Sequence, residues 1–272
     1  MRISVRGLSL DVSVDGPSDG PAVLLLHGFP QNATEWQRVI PALHAAGMRT
    51  IAPDQRGYSP GARPAEVDAY VMKECVADAV ALLDSVGVHR AHVVGHDWGA
   101  VVAWRLAADF PDRVHTLTAV SVPHPTAFTD AIANDADQQR RSSYFGLFRK
   151  AGHAEDVLLD DNGARLRAMF AGCPPELIDA YVTPMLDRAT LTGALNWYRA
   201  MSNDSLAAGD VTVPTTYVWG DSDPAVGAIA ARACGRYVTD DYRFVPLTGV
   251  GHWIPDEVPG AMAEAILSRI ED

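Results

Sequence analysis

The feature that most restricts what this chain can fold into is a repeated alternation of short apolar runs with stretches of helical periodicity. AVLLL (Ala22–Leu26), RTIA (49–52), AHVV (91–94) and VHTLTAV (Val114–Val120) each read as a buried strand. Helical patterns lie between them: 35–46 before Gly47, 70–86 before Gly87, and 100–109 closed by Pro111. Runs too apolar to face water on either side, separated by helices, require a mostly parallel sheet covered on both faces. The alternating start, RISVRGLSLDVSVDG, adds a two-stranded beginning.

The alternation stops at about Pro125 and resumes with TTYVWG (Thr215–Gly220), a helix around 225–234, YRFVPL (Tyr242–Leu247) and a last helix over 258–270. No flexible linker flanks the interruption, so residues 1–124 and 211–272 are expected to form one α/β core, with 125–210 inserted as a helical cap. At 272 residues, 48% hydrophobic and 21% charged, the chain has enough apolar residues for such a core. A net charge of −12, with no basic run longer than Arg140-Arg141, excludes a nucleic-acid or anionic-membrane partner. No run approaches the roughly 20 apolar residues of a membrane span, and the start lacks a signal-peptide core; the expected location is the cytoplasm. Cys75, Cys173 and Cys234 are read as free thiols without metal-type spacing, and no metal and no cofactor is expected. Monomer and homodimer both fit.

In an open parallel sheet, ligands bind beyond the carboxyl ends of the strands. Four such places carry unusual chemistry: HGFP (27–30), GHDWG (95–99), GDSD (220–223) and GVGHW (249–253). In GHDWG the glycines let a strand and a helix approach closely, and the central Asp97 is thrust outward. Taken alone, Asp97 serves equally well as a helix N-cap. The companions favour chemistry, because His252 follows in a glycine-flanked loop after an acidic loop, in the chain order nucleophile, acid, histidine. Asp223 would orient His252, with Asp221 as the alternative acid and more simply a turn residue. The backbone N–H groups of Phe29 and Trp98 could form an oxyanion hole.

With these motifs the chain resembles the α/β-hydrolase fold over its full length, and within that fold the epoxide hydrolases; the haloalkane dehalogenases are a more distant likeness. The resemblance implies a nucleophile at Asp97, a relay of Asp223 and His252, and two cap tyrosines holding an epoxide oxygen. The epoxide hydrolase pattern Y-x-x-x-F-Q-x-P-G-x-A-E matches at Tyr144, Phe148, Gly152, Ala154 and Glu155, and departs at Arg149 and Ala151. The N-W-Y-R pattern places the second tyrosine at Tyr198. Phe148 and Trp197 are expected in the pocket walls beside Phe29 and Trp98.

A carboxylate with a pKa of about 3.9 is already charged at neutral pH, so it can attack a saturated carbon without help. The implied partners are a small apolar epoxide and water. A haloalkane or haloacid dehalogenase using the same aspartate is the alternative, with Trp98 as halide donor. Against it, Phe29 stands where dehalogenases commonly carry Asn or Glu, and Trp98 where fluoroacetate dehalogenases generally carry Arg. A non-catalytic binding protein of the same fold is a third class. His96 is read as a turn residue without a catalytic part, His124 as shaping the route into the cap, and DQRGYSPG (54–61) as a post-strand loop.

Overall fold

The computed structural model describes residues 1–202 and 206–271. Its sheet has eight strands: β1 (Arg2–Val5), β2 (Leu8–Asp15), β3 (Ala22–Leu26), β4 (Arg49–Pro53), β5 (Ala91–His96), β6 (Val114–Val120), β7 (Thr215–Gly220) and β8 (Tyr242–Leu247). They lie in the order β1-β2-β4-β3-β5-β6-β7-β8; the β1–β2 and β2–β4 pairings are antiparallel and the remaining five are parallel.

Period-two alternation divides β3 between two cores. Val23 and Leu25 point to one side, with Leu43 of α1 (Ile40–Ala45) and with Met262 and Ile266. Leu24 and Leu26 point to the other, with Val76 and Leu82 of α2 (Met72–Ser85) and Val102 and Leu106 of α3 (Trp98–Asp109). All four β3 side chains are buried, which is why AVLLL shows no polar alternation.

The helix expected over 35–46 is two pieces, a 3-10 turn at Ala33–Arg38 and then α1. Pro41 lacks the N–H that would continue the first piece and occupies the first turn of the second. Gly47 ends α1 with φ +79°, a conformation in which a Cβ is strained.

Between β6 and β7 lie the helices α4 (Pro125–Asn134), α5 (Ala136–Arg141), α6 (Phe145–Phe148), α7 (His153–Ala168), α8 (Pro175–Met185) and α9 (Arg188–Ala200), followed by an isolated bridge from Val211 to Val238. α7 is broken at Asp160–Gly163, where three residues take positive φ. The core resumes with β7, α10 (Ala228–Ala233), β8, α11 (Ile254–Glu257) and α12 (Pro259–Glu271). Gly57, at φ +92°, brings the loop after β4 so close to Gly193 of α9 that a Cβ there would lie 2.7 Å from Gly193 backbone. Trp197 Nε1–H donates to the Arg56 carbonyl at 2.9 Å, a second tie between α9 and this loop. No described helix is long and apolar enough to cross a membrane.

Candidate active site

The turn after β5 is strained. Asp97 has φ 51° and ψ −118°, a region that costs a non-glycine residue about 1–3 kcal/mol. Its neighbours leave no alternative, since a Cβ on Gly95 would lie 2.2 Å from the Gly99 carbonyl oxygen, and one on Gly99 2.0 Å from that of Leu26. β5, α3 and the end of β3 therefore meet backbone to backbone, and Asp97 is pushed toward the HGFP loop. Gly28 is needed there too, because its Cβ would meet that of Asp97 at 2.3 Å. The side chain of Asp97 makes no cap bond to its own helix, so the N-cap alternative does not describe its contacts.

Instead, Asp97 Oδ1 accepts from the Phe29 N–H at 2.8 Å, and Oδ2 lies 3.5 Å from His252 Nε2. His252 Nδ1–H donates to Asp223 Oδ2 at 2.8 Å. Asp223 is fully buried, and its Oδ1 accepts from the N–H groups of Ala225 and Val226 at 2.7 and 3.1 Å. Asp221 is exposed and accepts from Gly249 N–H, so of the two acids only Asp223 contacts His252. The N–H of Phe29 donates to Asp97; no such bond is made by that of Trp98, the other expected donor.

These contacts set the charges. Burial alone would raise the Asp97 carboxyl, but the hydrogen bond and charge of His252, with help from Phe29 N–H, hold it below its ordinary 3.8. For His252, burial opposes the charged ring, and Asp223 and then Asp97 outweigh it, raising the group to about 10. The resting arrangement is an imidazolium between two carboxylates.

Opposite this charged half stand Tyr144 and Tyr198 from the inserted helices, with ring centroids 6.2 Å apart. Tyr198 is enclosed by Phe148, Trp98 and Phe29 at 5.0, 5.1 and 5.3 Å. Burial, then the charge of Asp97, push the Tyr144 hydroxyl well up; burial and the nearby Tyr144 and Asp97 do the same for Tyr198. Both stay neutral donors far into alkaline solution.

The motif residues around the tyrosines explain themselves in three dimensions. Glu155 and Arg199, from the two matched stretches, form a buried ion pair at 2.8 Å that fastens α7 to α9 beside Tyr198. Arg149, which departs from the first pattern, donates from Nε to the Tyr198 carbonyl at 3.1 Å.

A cavity of about 520 Å³ reaches Asp97, His252, Tyr144 and Tyr198, with Phe29, Phe148, Met169 and Trp253 among its apolar walls. A second, of about 30 Å³, also reaches Asp97 and both tyrosines and runs between Trp98, Phe128 and Phe145. Trp197, expected in the wall, lines neither; its ring packs on Trp98 at 5.7 Å and its indole serves the tie to Arg56. His124 is buried, caps α4 through Thr126 N–H and stacks on Tyr237 at 4.5 Å. His96, Glu35 and Asp256 form a buried polar cluster beside the site. Sequence reasoning gave His96 no part in catalysis and missed both acids, because nothing in their local sequence sets them apart. Among the described residues, no group of three or more His, Cys, Asp or Glu side chains could hold a metal ion.

A mostly parallel eight-stranded sheet, a strained acidic turn after its central strand and a histidine beyond the last strand define an α/β hydrolase. The chain matches the α/β-hydrolase-fold family over residues 21–259 and belongs to that family. It is 32% identical to epoxide hydrolase A of Mycobacterium tuberculosis, with 97% of this chain and 95% of that protein covered. It is also 32% identical to the AB hydrolase superfamily protein YfhM of Bacillus subtilis, covering 99% and 97%. The crystal structure of epoxide hydrolase A from Mycobacterium thermoresistibile superimposes with a TM-score of 0.87 at 30% identity, covering 100% and 97%.

Proposed function

We propose that the protein is an epoxide hydrolase that opens an epoxide to a vicinal diol through an ester on Asp97. The observation that carries this reading is the opposition of an ionised, hydrogen-bonded Asp97 to two neutral phenols across one apolar cavity. The similarity to proteins named epoxide hydrolase supports it.

In the first step an Asp97 oxygen attacks an epoxide carbon, the C–O bond breaks and the ring oxygen leaves as an alkoxide. Tyr144 and Tyr198 donate hydrogen bonds to that oxygen, and one supplies its proton. The apolar walls limit water, which would otherwise compete for the same carbon. Residues 125–210 thus act as a cap whose part is to hold the leaving oxygen.

Ester formation removes the negative charge of Asp97, one of the two that raise His252. His252 then gives up its proton, which restores the phenol, and becomes a neutral base. It takes a proton from a water that attacks the Asp97 carboxyl carbon, while the oxygen held by the Phe29 N–H carries the developing negative charge. Collapse breaks the ester C–O bond, the departing alkoxide takes the second water proton from the Asp97 carboxyl, and the diol leaves with one of its oxygens coming from Asp97; Asp223 holds His252 in register throughout. Two phenols opposite Asp97 suit a basic alkoxide. A halide needs no such proton, which leaves the dehalogenase reading without a role for this pair.

The test is one turnover in heavy-oxygen water with enzyme in excess. The isotope is expected in the peptide bearing Asp97 and not in the diol. Solvent isotope in the first-cycle diol would mean direct addition of water and would overturn the ester.

A further inference from the structure

Next to the Asp97–His252 contact lies a set of ionisable groups that this reaction scheme does not use. Glu35, in the 3-10 turn before α1, Asp256 in α11 and His96 at the end of β5 are all fully buried. The His252 carbonyl oxygen can only accept, so His96 Nε2, 2.9 Å away, carries a hydrogen. A neutral imidazole then has a bare Nδ1, and Glu35 Oε2 stands 3.4 Å from it. A carboxylate oxygen and a bare ring nitrogen are both acceptors and would repel each other, so a proton belongs between them.

We infer that Glu35 is a neutral carboxylic acid that donates its proton to His96 Nδ1 and so ties the turn of Asp97 to the loop of His252. The same Oε2 accepts from Gly28 N–H at 3.4 Å, one residue before the Phe29 N–H that contacts Asp97. One side chain thereby touches two of the loops around the reacting atoms and, through His96, reaches the third. Ser121 Oγ–H donates to the His252 carbonyl at 2.7 Å and holds it from another strand. Glu35 is a positioning residue, and its role rests on the reading of Asp97 and His252 as the reacting pair.

The neighbours favour the neutral acid. Asp97, His252, His96 and Asp256 face Glu35, with the Tyr58 and Tyr181 hydroxyls and the Cys173 thiol around them. Burial, reinforced by Asp97 and opposed by Gly28 N–H and His252, raises Glu35 well above the usual carboxylate range. Burial and then His252 press His96 down to about 4. Asp256, lifted chiefly by burial, accepts from Gln31 Nε2 and the Tyr181 hydroxyl and takes no proton from Glu35. Glu35 Oε1 is buried without a partner among the described residues, which a carbonyl oxygen bears at lower cost than a charged one.

The experiment is a nitrogen-15 NMR spectrum of histidine-labelled protein at pH 7, with kinetics on two variants. His96 is expected as the neutral tautomer with hydrogen on Nε2 and none on Nδ1. A doubly protonated His96 would overturn the inference whether or not the protein hydrolyses epoxides, because the spectrum is independent of turnover. Glu35→Gln keeps an N–H donor for Nδ1 and should retain kcat within about threefold with an unchanged pH profile. Glu35→Leu removes the donor and should lower kcat about ten- to hundredfold with little change in KM. If Glu35→Gln is as damaging as Glu35→Leu, the charge and not the proton matters, and the inference is wrong. Should the leucine variant fail to fold, the spectrum of Glu35→Gln decides, with an unchanged His96 tautomer expected.

Discussion

The two halves of the site are built by different means. On the core side every acting group is charged and pinned: Asp223 accepts three hydrogen bonds, His252 lies between two carboxylates, and Asp97 meets a backbone N–H. On the inserted side Tyr144 and Tyr198 are neutral and held by ring packing, and the charges of the buried Glu155–Arg199 pair neutralise each other outside the cavity wall. The contrast suits the proposed reaction, which begins with negative charge on Asp97 and transfers it to an oxygen on the far side. Charge must be held ready where it starts, and unused proton donors must wait where it arrives.

The largest expected effect comes from breaking the core half. His252→Gln should reduce turnover by about 10³-fold or more while the first step continues, so that intact-mass spectra show substrate attached to Asp97. No adduct would contradict the division of labour between Asp97 and His252. A smaller loss is expected from the other side. Tyr144→Phe with Tyr198→Phe should slow epoxide opening about 10²-fold and leave hydrolysis of an activated ester nearly unchanged. Equal loss of both activities would make the hydroxyls structural.

The smallest effect sharpens the contrast through pH. His252 is raised from 6.5 to about 10, so the stability it contributes is whole below pH 6.5 and is lost as pH rises toward 10. Denaturant unfolding across that window should therefore show wild type losing more stability than His252→Gln. The tyrosine double variant should follow wild type, since phenols pushed well above 10 do not titrate there. A wild-type curve parallel to that of His252→Gln would deny the imidazolium its place between the carboxylates.

Much of the core half was legible in the chain because its signals are local. Gly95 and Gly99 are demanded by backbone contacts around one turn, and the order of Asp97, Asp223 and His252 follows the order of strands. Tyr144 and Tyr198 were found by motif likeness, yet the purpose of the flanking Glu155 and Arg199 emerges only when α7 and α9 pack. The split of the helix before Gly47 was also readable, from Pro41, but the apolar periodicity across it masked the break.

The sequence alone determined the alternating architecture, the strained turn and the set of groups available for chemistry, since periodicity, glycine and proline act over a few residues. Only the tertiary structure decided which of those groups are charged. Glu35 and His96 are 61 positions apart, and His96 and the His252 carbonyl 156. Burial and neighbouring charge set where a proton resides, and both are supplied by segments that come together only when the sheet is complete.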